Sequence, residues 1–192
     1  FAEPARLSSV LEPYQGQVAI AVINGPSNTV LSGNHAALQS VIQRLEAEGI
    51  ETHPMTVSHA FHSPLMEPML DSFEQIAQEI QFKALQLPLV CNLSARLLQV
   101  GETMDAGYWR QQTRGTVQFS AGMQTLAQAG YDTFVEVGPS TTLINMGKRN
   151  LANSGGTWLA SLRQEQNDWQ VLLNSVATLY TVSHAFHSPL ME

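Results

Sequence analysis

Thr56-Val57-Ser58-His59-Ala60-Phe61-His62-Ser63-Pro64-Leu65-Met66-Glu67 carries two histidines three apart and leads straight into an amphipathic segment. Ser63 is suited to an N-cap and Pro64 to the first helical position, since the proline ring presets φ and its missing N–H would have had no partner there. Met66, Met69, Leu70, Phe73, Ile76, Ala77 and Ile80 then recur at helical spacing, which predicts a helix over residues 64–82 with one buried stripe. His62 falls at the mouth of that helix, where the positive end of the dipole favours an uncharged ring able to accept a proton. His62 is therefore a candidate general base. On spacing alone, the other reading stays open: two loop histidines satisfied by backbone groups.

Upstream, Glu3 to Pro13 reads as a short helix, and Gln17–Ile23 and Thr29–Gly33 as strands joined by the turn-rich Asn24-Gly25-Pro26-Ser27-Asn28. Asn34 can cap a helix from His35 to about Gly49, and Thr52–Val57 reads as a returning strand. The order α-β-β-α-β is that of a ferredoxin-like split unit lacking its first strand. Downstream, Pro88–Leu93, Thr133–Val137 and Thr157–Leu162 read as strands, and Asp105–Arg114, Val117–Ala129, Thr141–Leu151 and Asn167–Leu179 as helices. That alternation predicts an α/β layer around a mostly parallel sheet, one side of a doubly wound or hydrolase-like domain.

Composition narrows the function. Of 192 residues, 44% are hydrophobic and 13% charged, proportions of an ordinary globular protein rather than a disordered one. A net charge of -7 argues against nucleic acid or an anionic membrane as partner. There is no apolar run of the roughly 18 residues a bilayer span needs, and no signal peptide is visible. One cysteine, Cys91, leaves no internal disulfide and suits the cytoplasm.

The wording of the opening stretch adds to this. "SHAFHSPLMEPML" closely resembles the segment around the catalytic histidine in acyltransferase domains of modular type I polyketide synthases, relatives of malonyl-CoA:acyl carrier protein transacylases. "VAIAVINGPSNTVLSG", "YWRQQTRGTVQF", "FVEVGPSTTL" and "WLASLR" resemble further segments of that family, in its order. The resemblance implies an α/β fold with a ferredoxin-like small subdomain over 1–57 and the C-terminal part of an α/β-hydrolase-like large subdomain over 58–163. Residues 164–180 resemble the start of the linker that follows the acyltransferase. It implies His62 as catalytic base and His59-Ala60-Phe61-His62 as the malonyl-selective form of the family's four-residue signature. Phe61 would crowd a methyl branch on the extender, a discrimination of about 1–3 kcal/mol; a plain core phenylalanine is the other reading. Gln112 matches the position whose backbone carbonyl orients the histidine, and Asn24 a pocket-facing asparagine; a surface glutamine and a turn residue are the alternatives. Malonyl-CoA, an acyl carrier protein, a neighbouring ketosynthase and the linker are the partners implied, with coenzyme A and phosphopantetheine arriving on the substrates and no bound cofactor.

Two features depart from the family pattern. The family's nucleophile is a serine in G-H-S-x-G, on a strand-to-helix turn, and no such motif occurs; Gly25-Pro26-Ser27 and Gly138-Pro139-Ser140 begin like it, but Thr29 and Thr142 stand where the last glycine belongs. The arginine that pairs the malonyl carboxylate in the family is also missing. The chain by itself is accordingly expected to be inactive, and it is read as excised from a multidomain protein. Thr181 to Glu192 repeats Thr56 to Glu67 letter for letter, including His184 and His187, and is read as an extraneous appendage set aside before fold reasoning. A non-catalytic module that binds a carrier protein, and a metal site built from His53, His59, His62 and Cys91, are the rival classes; for the latter, H-x-x-H without a carboxylate or a cysteine pair is a weak signal.

Overall fold

The computed structural model describes residues 2–55, 57 and 59–182. The chain divides into two compact units, residues 1–128 and 129–192. No described helix is long and apolar enough to cross a membrane.

In the first unit, helix α1 (Pro4–Leu11) starts on a proline and runs through a 3-10 turn, Glu12–Tyr14, into strand β1 (Val18–Gly25). β1 pairs antiparallel with β2 (Asn28–Gly33) across the two-residue loop Pro26-Ser27. The register slips between Ile20 and Val22, so Ala21 is an extra residue on β1, the signature of a β-bulge. Helix α2 (His35–Ala47) is capped as expected, with the Asn34 side chain accepting from the Ala37 N–H. Leu7, Val10 and Leu11 of α1, Val18 of β1, and Ala37, Val41 and Leu45 of α2 form one buried cluster. Val10 and Val41 are fully enclosed, each gaining about 1.5–3 kcal/mol on leaving water.

The strand expected over Thr52–Val57 is not found among its described residues, 52–55 and 57. Met55 and Val57, which would share a face, are each 65% exposed, so that face has nothing to pack on, and Pro54 removes a ladder donor. Thr56 lies outside the described residues, as do Ser58 and the second copy's residues 183–192.

Beyond the histidine segment, Pro64–Met66 forms a 3-10 turn that continues into helix α3 (Glu67–Gln78). The helix therefore stops short of residue 82, and its stripe is only partly covered. Met66, Leu70 and Ala77 are buried, whereas Met69, Ile76 and Ile80 are 38%, 65% and 57% exposed. Strand β3 (Leu89–Val90) falls within the strand expected over Pro88–Leu93 but pairs antiparallel with β4 (Leu97–Leu98) rather than joining a parallel sheet; β4, two residues long, carries no pattern that marks it in the sequence. Helices α4 (Ala106–Arg114) and α5 (Phe119–Gln128) complete the unit. Asp105 caps α4 through the Tyr108 N–H, and Arg110 of α4 pairs with Asp71 at 2.7 Å and Glu74 at 3.1 Å on α3.

The second unit is β5 (Thr133–Glu136), α6 (Thr142–Asn150), β6 (Thr157–Ala160) and α7 (Asp168–Val182). β5 and β6 pair in parallel, with Phe134 stacked on Trp158 at 4.3 Å. The Glu136 carboxylate caps α6, accepting from the Leu143 and Ile144 N–H groups at 3.2 and 2.8 Å. Ile144, Ala160 and Val171 are its buried cluster.

Candidate active site

His62 is held from two directions by the C-terminal end of α4. Its backbone N–H donates to the Thr113 carbonyl at 3.2 Å, and its ring Nδ1 lies 2.9 Å from the Gly115 carbonyl oxygen. A carbonyl can only accept, so Nδ1 carries the proton and, in the neutral ring, Nε2 keeps its lone pair. His62 has φ +57°, a left-handed conformation uncommon outside glycine and of the kind that clusters at functional positions. The ring is half-buried.

Ser63 locks the next step of the chain. It is fully buried; its hydroxyl donates to the Ala60 carbonyl at 2.6 Å and accepts from the Leu65 N–H at 3.2 Å. The N-cap read from sequence is therefore present, on the 3-10 turn rather than directly on the α-helix.

Behind the Gly115 carbonyl, the extended segment after α4 is fastened to β1. Thr116 Oγ1 donates to the Ile20 carbonyl at 2.7 Å, the Val117 N–H to Ala21 at 2.8 Å, and the Ile23 N–H to Val117 at 2.9 Å. Val22 and Val117 thus form a parallel bridge, made possible by the bulge that frees Ala21's carbonyl to turn away from β2. The Gln118 N–H reaches the Asn92 carbonyl at 2.7 Å.

The other expected residues fall as follows. Phe61 is 51% exposed, which removes the core-phenylalanine reading, and its ring lies 5.8 Å from that of His59 at 48°. Ala60 supplies the carbonyl that Ser63 holds. Asn24 is a half-buried residue within β1, not a turn residue. The orienting role expected of the Gln112 backbone belongs to Gly115: Gln112 is still inside α4, whereas Gly115 is its extended C-cap, with ψ 158° and a carbonyl turned out of the helix. The Gln112 side-chain Oε1 is buried and without a partner among the described residues. The helix expected from the sequence ends at Arg114, which marks Gly115 as the stop, but nothing in the sequence marks the use of its carbonyl.

Cys91 is buried at the start of the β3–β4 turn. Burial pushes its thiol up, but hydrogen bonds from the Ser94 side chain, the Ser94 and Leu93 backbone and the Tyr108 hydroxyl outweigh it and leave the thiol below its ordinary range. The same pair, after burial, pushes the Tyr108 phenol up to about 12. Among the described residues, no group of three or more His, Cys, Asp or Glu is placed to hold a metal ion; His53 instead faces Glu51 at 3.2 Å on the surface. A hollow of about 620 Å³ in the second unit has neither histidine nor cysteine in its lining.

The family model for the acyl transferase domain matches residues 6–190. Polyketide synthase GfsA of Streptomyces halstedii is 32% identical over 180 residues, covering 93% of this chain and 2% of that protein. Mycoketide-CoA synthase of Mycobacterium tuberculosis is 36% identical over 162 residues, 84% of this chain and 4% of that protein. Among solved structures, the acyltransferase domain from the second module of the salinomycin polyketide synthase superposes with a TM-score of 0.88 at 37% identity, covering 94% of this chain and 42% of that one. The α/β class expected from the sequence is that of these domains. The chain spans only a small part of the curated relatives' length and under half of that solved chain.

Proposed function

Because the chain belongs to the acyl transferase domain family, we propose that it forms part of a polyketide synthase acyltransferase that moves a malonyl unit from coenzyme A to the phosphopantetheine thiol of an acyl carrier protein. The observation that carries this reading is the His62 ring held by the Gly115 carbonyl through Nδ1, with Nε2 left to act as base. A nucleophilic serine, contributed from outside these 192 residues, attacks the malonyl thioester as His62 takes its proton. Backbone N–H groups hold the oxyanion, and His62 returns the proton to the departing coenzyme A thiolate. The carrier thiol then takes the malonyl group by the reverse path, restoring the serine. The chain alone, lacking that serine, transfers nothing.

Phe61 supports malonyl selectivity. It is bulky, exposed and adjacent to the base, and a ring beside the acyl C2 disfavours a methyl branch by about 1–3 kcal/mol; His59 packs on it and Ala60 anchors the loop. Asn24 contributes to the same pocket from β1. The partners are malonyl-CoA, the carrier protein and neighbouring synthase domains including a ketosynthase, in the cytoplasm, with no resident cofactor. In our reading, residues 1–57 and 58–163 are the small and large subdomains and 164–180 the start of the following linker.

The test is transfer of radiolabelled malonyl from malonyl-CoA to a carrier protein by the intact domain. His62→Ala is expected to reduce the rate at least about a hundredfold. Full activity in that variant refutes the assignment, and carrier binding without any transfer by the parent domain points to a binding module instead.

A further inference from the structure

We propose that Glu67 and Arg114 are positioning residues for His62: their ion pair closes the loop in which the histidine is held in its left-handed conformation. The kinetic side of this rests on the reading of His62 as the base. Arg114 Nε lies 2.7 Å from Glu67 Oε1. Glu67 is the first residue of α3 and Arg114 the last of α4, so each stands at the helix end whose dipole favours its charge. Further along the same two helices, Arg110 pairs with Asp71 and Glu74. Both sets of pairs join α3 to α4, but only Glu67–Arg114 borders the histidine. Ser63 and the Pro64–Met66 turn alone separate His62 from Glu67, and the His62 N–H donates to the carbonyl of Thr113, the neighbour of Arg114, at 3.2 Å. The loop is thus tied to the end of α4 twice, by a backbone bond at His62 and by the ion pair at Glu67.

The second tie matters because His62 has φ +57°, a conformation that a residue with a Cβ adopts at a cost and keeps only where its surroundings hold it. Relaxation to negative φ would swing the peptide before His62 and carry Nε2 out of place. The backbone bond at 3.2 Å is at the long limit of the normal range, so the tie at the other end of the loop bears on which conformation is populated. With side chains 33% and 56% exposed, the pair is a weak stabiliser of the fold. Its contribution is nevertheless of the same order as the left-handed cost. That sets the size of the effect, since losing an exposed pair shifts a population by about two- to fivefold and no more.

Two readouts test this, one of them independent of acyl transfer. In the ¹⁵N-labelled chain, positive φ gives His62 a strong intraresidue HN–Hα Overhauser effect. The parent is expected to show it, and Arg114→Lys, which keeps a single charged contact, to retain it. Glu67→Gln, Arg114→Gln and the double variant Glu67→Gln/Arg114→Gln should weaken it equally, because all three lack the same pair. Arg110→Gln, which opens the other pairs between the helices, is expected to retain it. In the intact domain, the three weakened variants should lower kcat by about two- to fivefold with KM for malonyl-CoA unchanged, and Arg110→Gln should leave kcat at the parent's value. An undiminished Overhauser effect in Arg114→Gln, an equal loss in Arg110→Gln, or losses that add in the double variant overturn the inference. Loss of the Overhauser effect with kcat unchanged leaves the ion pair's hold on His62 standing and refutes the reading of His62 as the base.

Discussion

Replacing Ser63 by alanine isolates what the histidine loop depends on. The Ser63 hydroxyl makes two bonds at once, donating to the Ala60 carbonyl and accepting from the Leu65 N–H, and the residue has no exposed surface. Losing the N-cap costs about 1 kcal/mol, and leaving the Ala60 carbonyl without its donor adds about 1–2 kcal/mol. A destabilisation of about 2–3 kcal/mol corresponds, for a chain of this size, to a fall in Tm of roughly 4–12 °C. Circular dichroism at 222 nm, the standard helix band, follows the transition, with Ser8→Ala as control: Ser8 bonds the Pro4 carbonyl within its own helix and is exposed, so its effect should stay within about 0.5 kcal/mol. If Ser63→Ala melts within about 1 °C of the parent, the turn is held by something other than this hydroxyl and the account of the loop is wrong.

Gly33→Ala should destabilise by about 3 kcal/mol or more, since its Cβ would fall 2.1 Å from the Gln17 carbonyl oxygen and 2.7 Å from Val18 Cα, both backbone; denaturant midpoints measure it, and a neutral result contradicts the β1–β2 register. Tyr108 holds its proton more tightly when folded, up to about 12, by burial and then by its bond to Cys91. Its contribution is whole below the unfolded phenol value near 10 and fades as pH rises from there to about 12. Stability in that window should fall less steeply in Tyr108→Phe, and identical slopes would remove the assignment. Glu102 is held below the usual carboxylate range by the Arg96 guanidinium and the Gln99 N–H. Its contribution is present above the unfolded value near 4.3 and is lost as pH falls through the folded one, so Glu102→Gln should flatten the acid limb of the stability curve. In the intact domain, Phe61→Ser should raise the methylmalonyl to malonyl ratio in competition by about tenfold; an unchanged ratio removes Phe61 as gatekeeper.

Much of the fold is legible locally. Asn34 and Asp105 cap the helices that follow them, the Pro26-Ser27 turn sets the hairpin, and the strand–helix alternation over 133–182 appears as β5, α6, β6 and α7. These features depend on neighbours within a few residues, where propensity and capping decide. The failures share the opposite cause. The strand expected at 52–57 has the right residue types but no surface to cover them. The stripe on α3 has the right period, yet Ile76 and Ile80 remain in the open, because period tells which residues share a face and not whether anything packs against it.

For the site, the amino-acid order by itself made His62 a candidate, through two histidines ahead of a Ser-Pro helix start, and the family resemblance gave it the role of base. Only the tertiary structure decided how that ring is aimed. Its acceptor is a backbone carbonyl, which every residue possesses and no side-chain pattern can mark, carried by Gly115 at a distance of 53 residues along the chain. That oxygen reaches Nδ1 only because the chain after α4 is bonded to a bulged strand near the N-terminus.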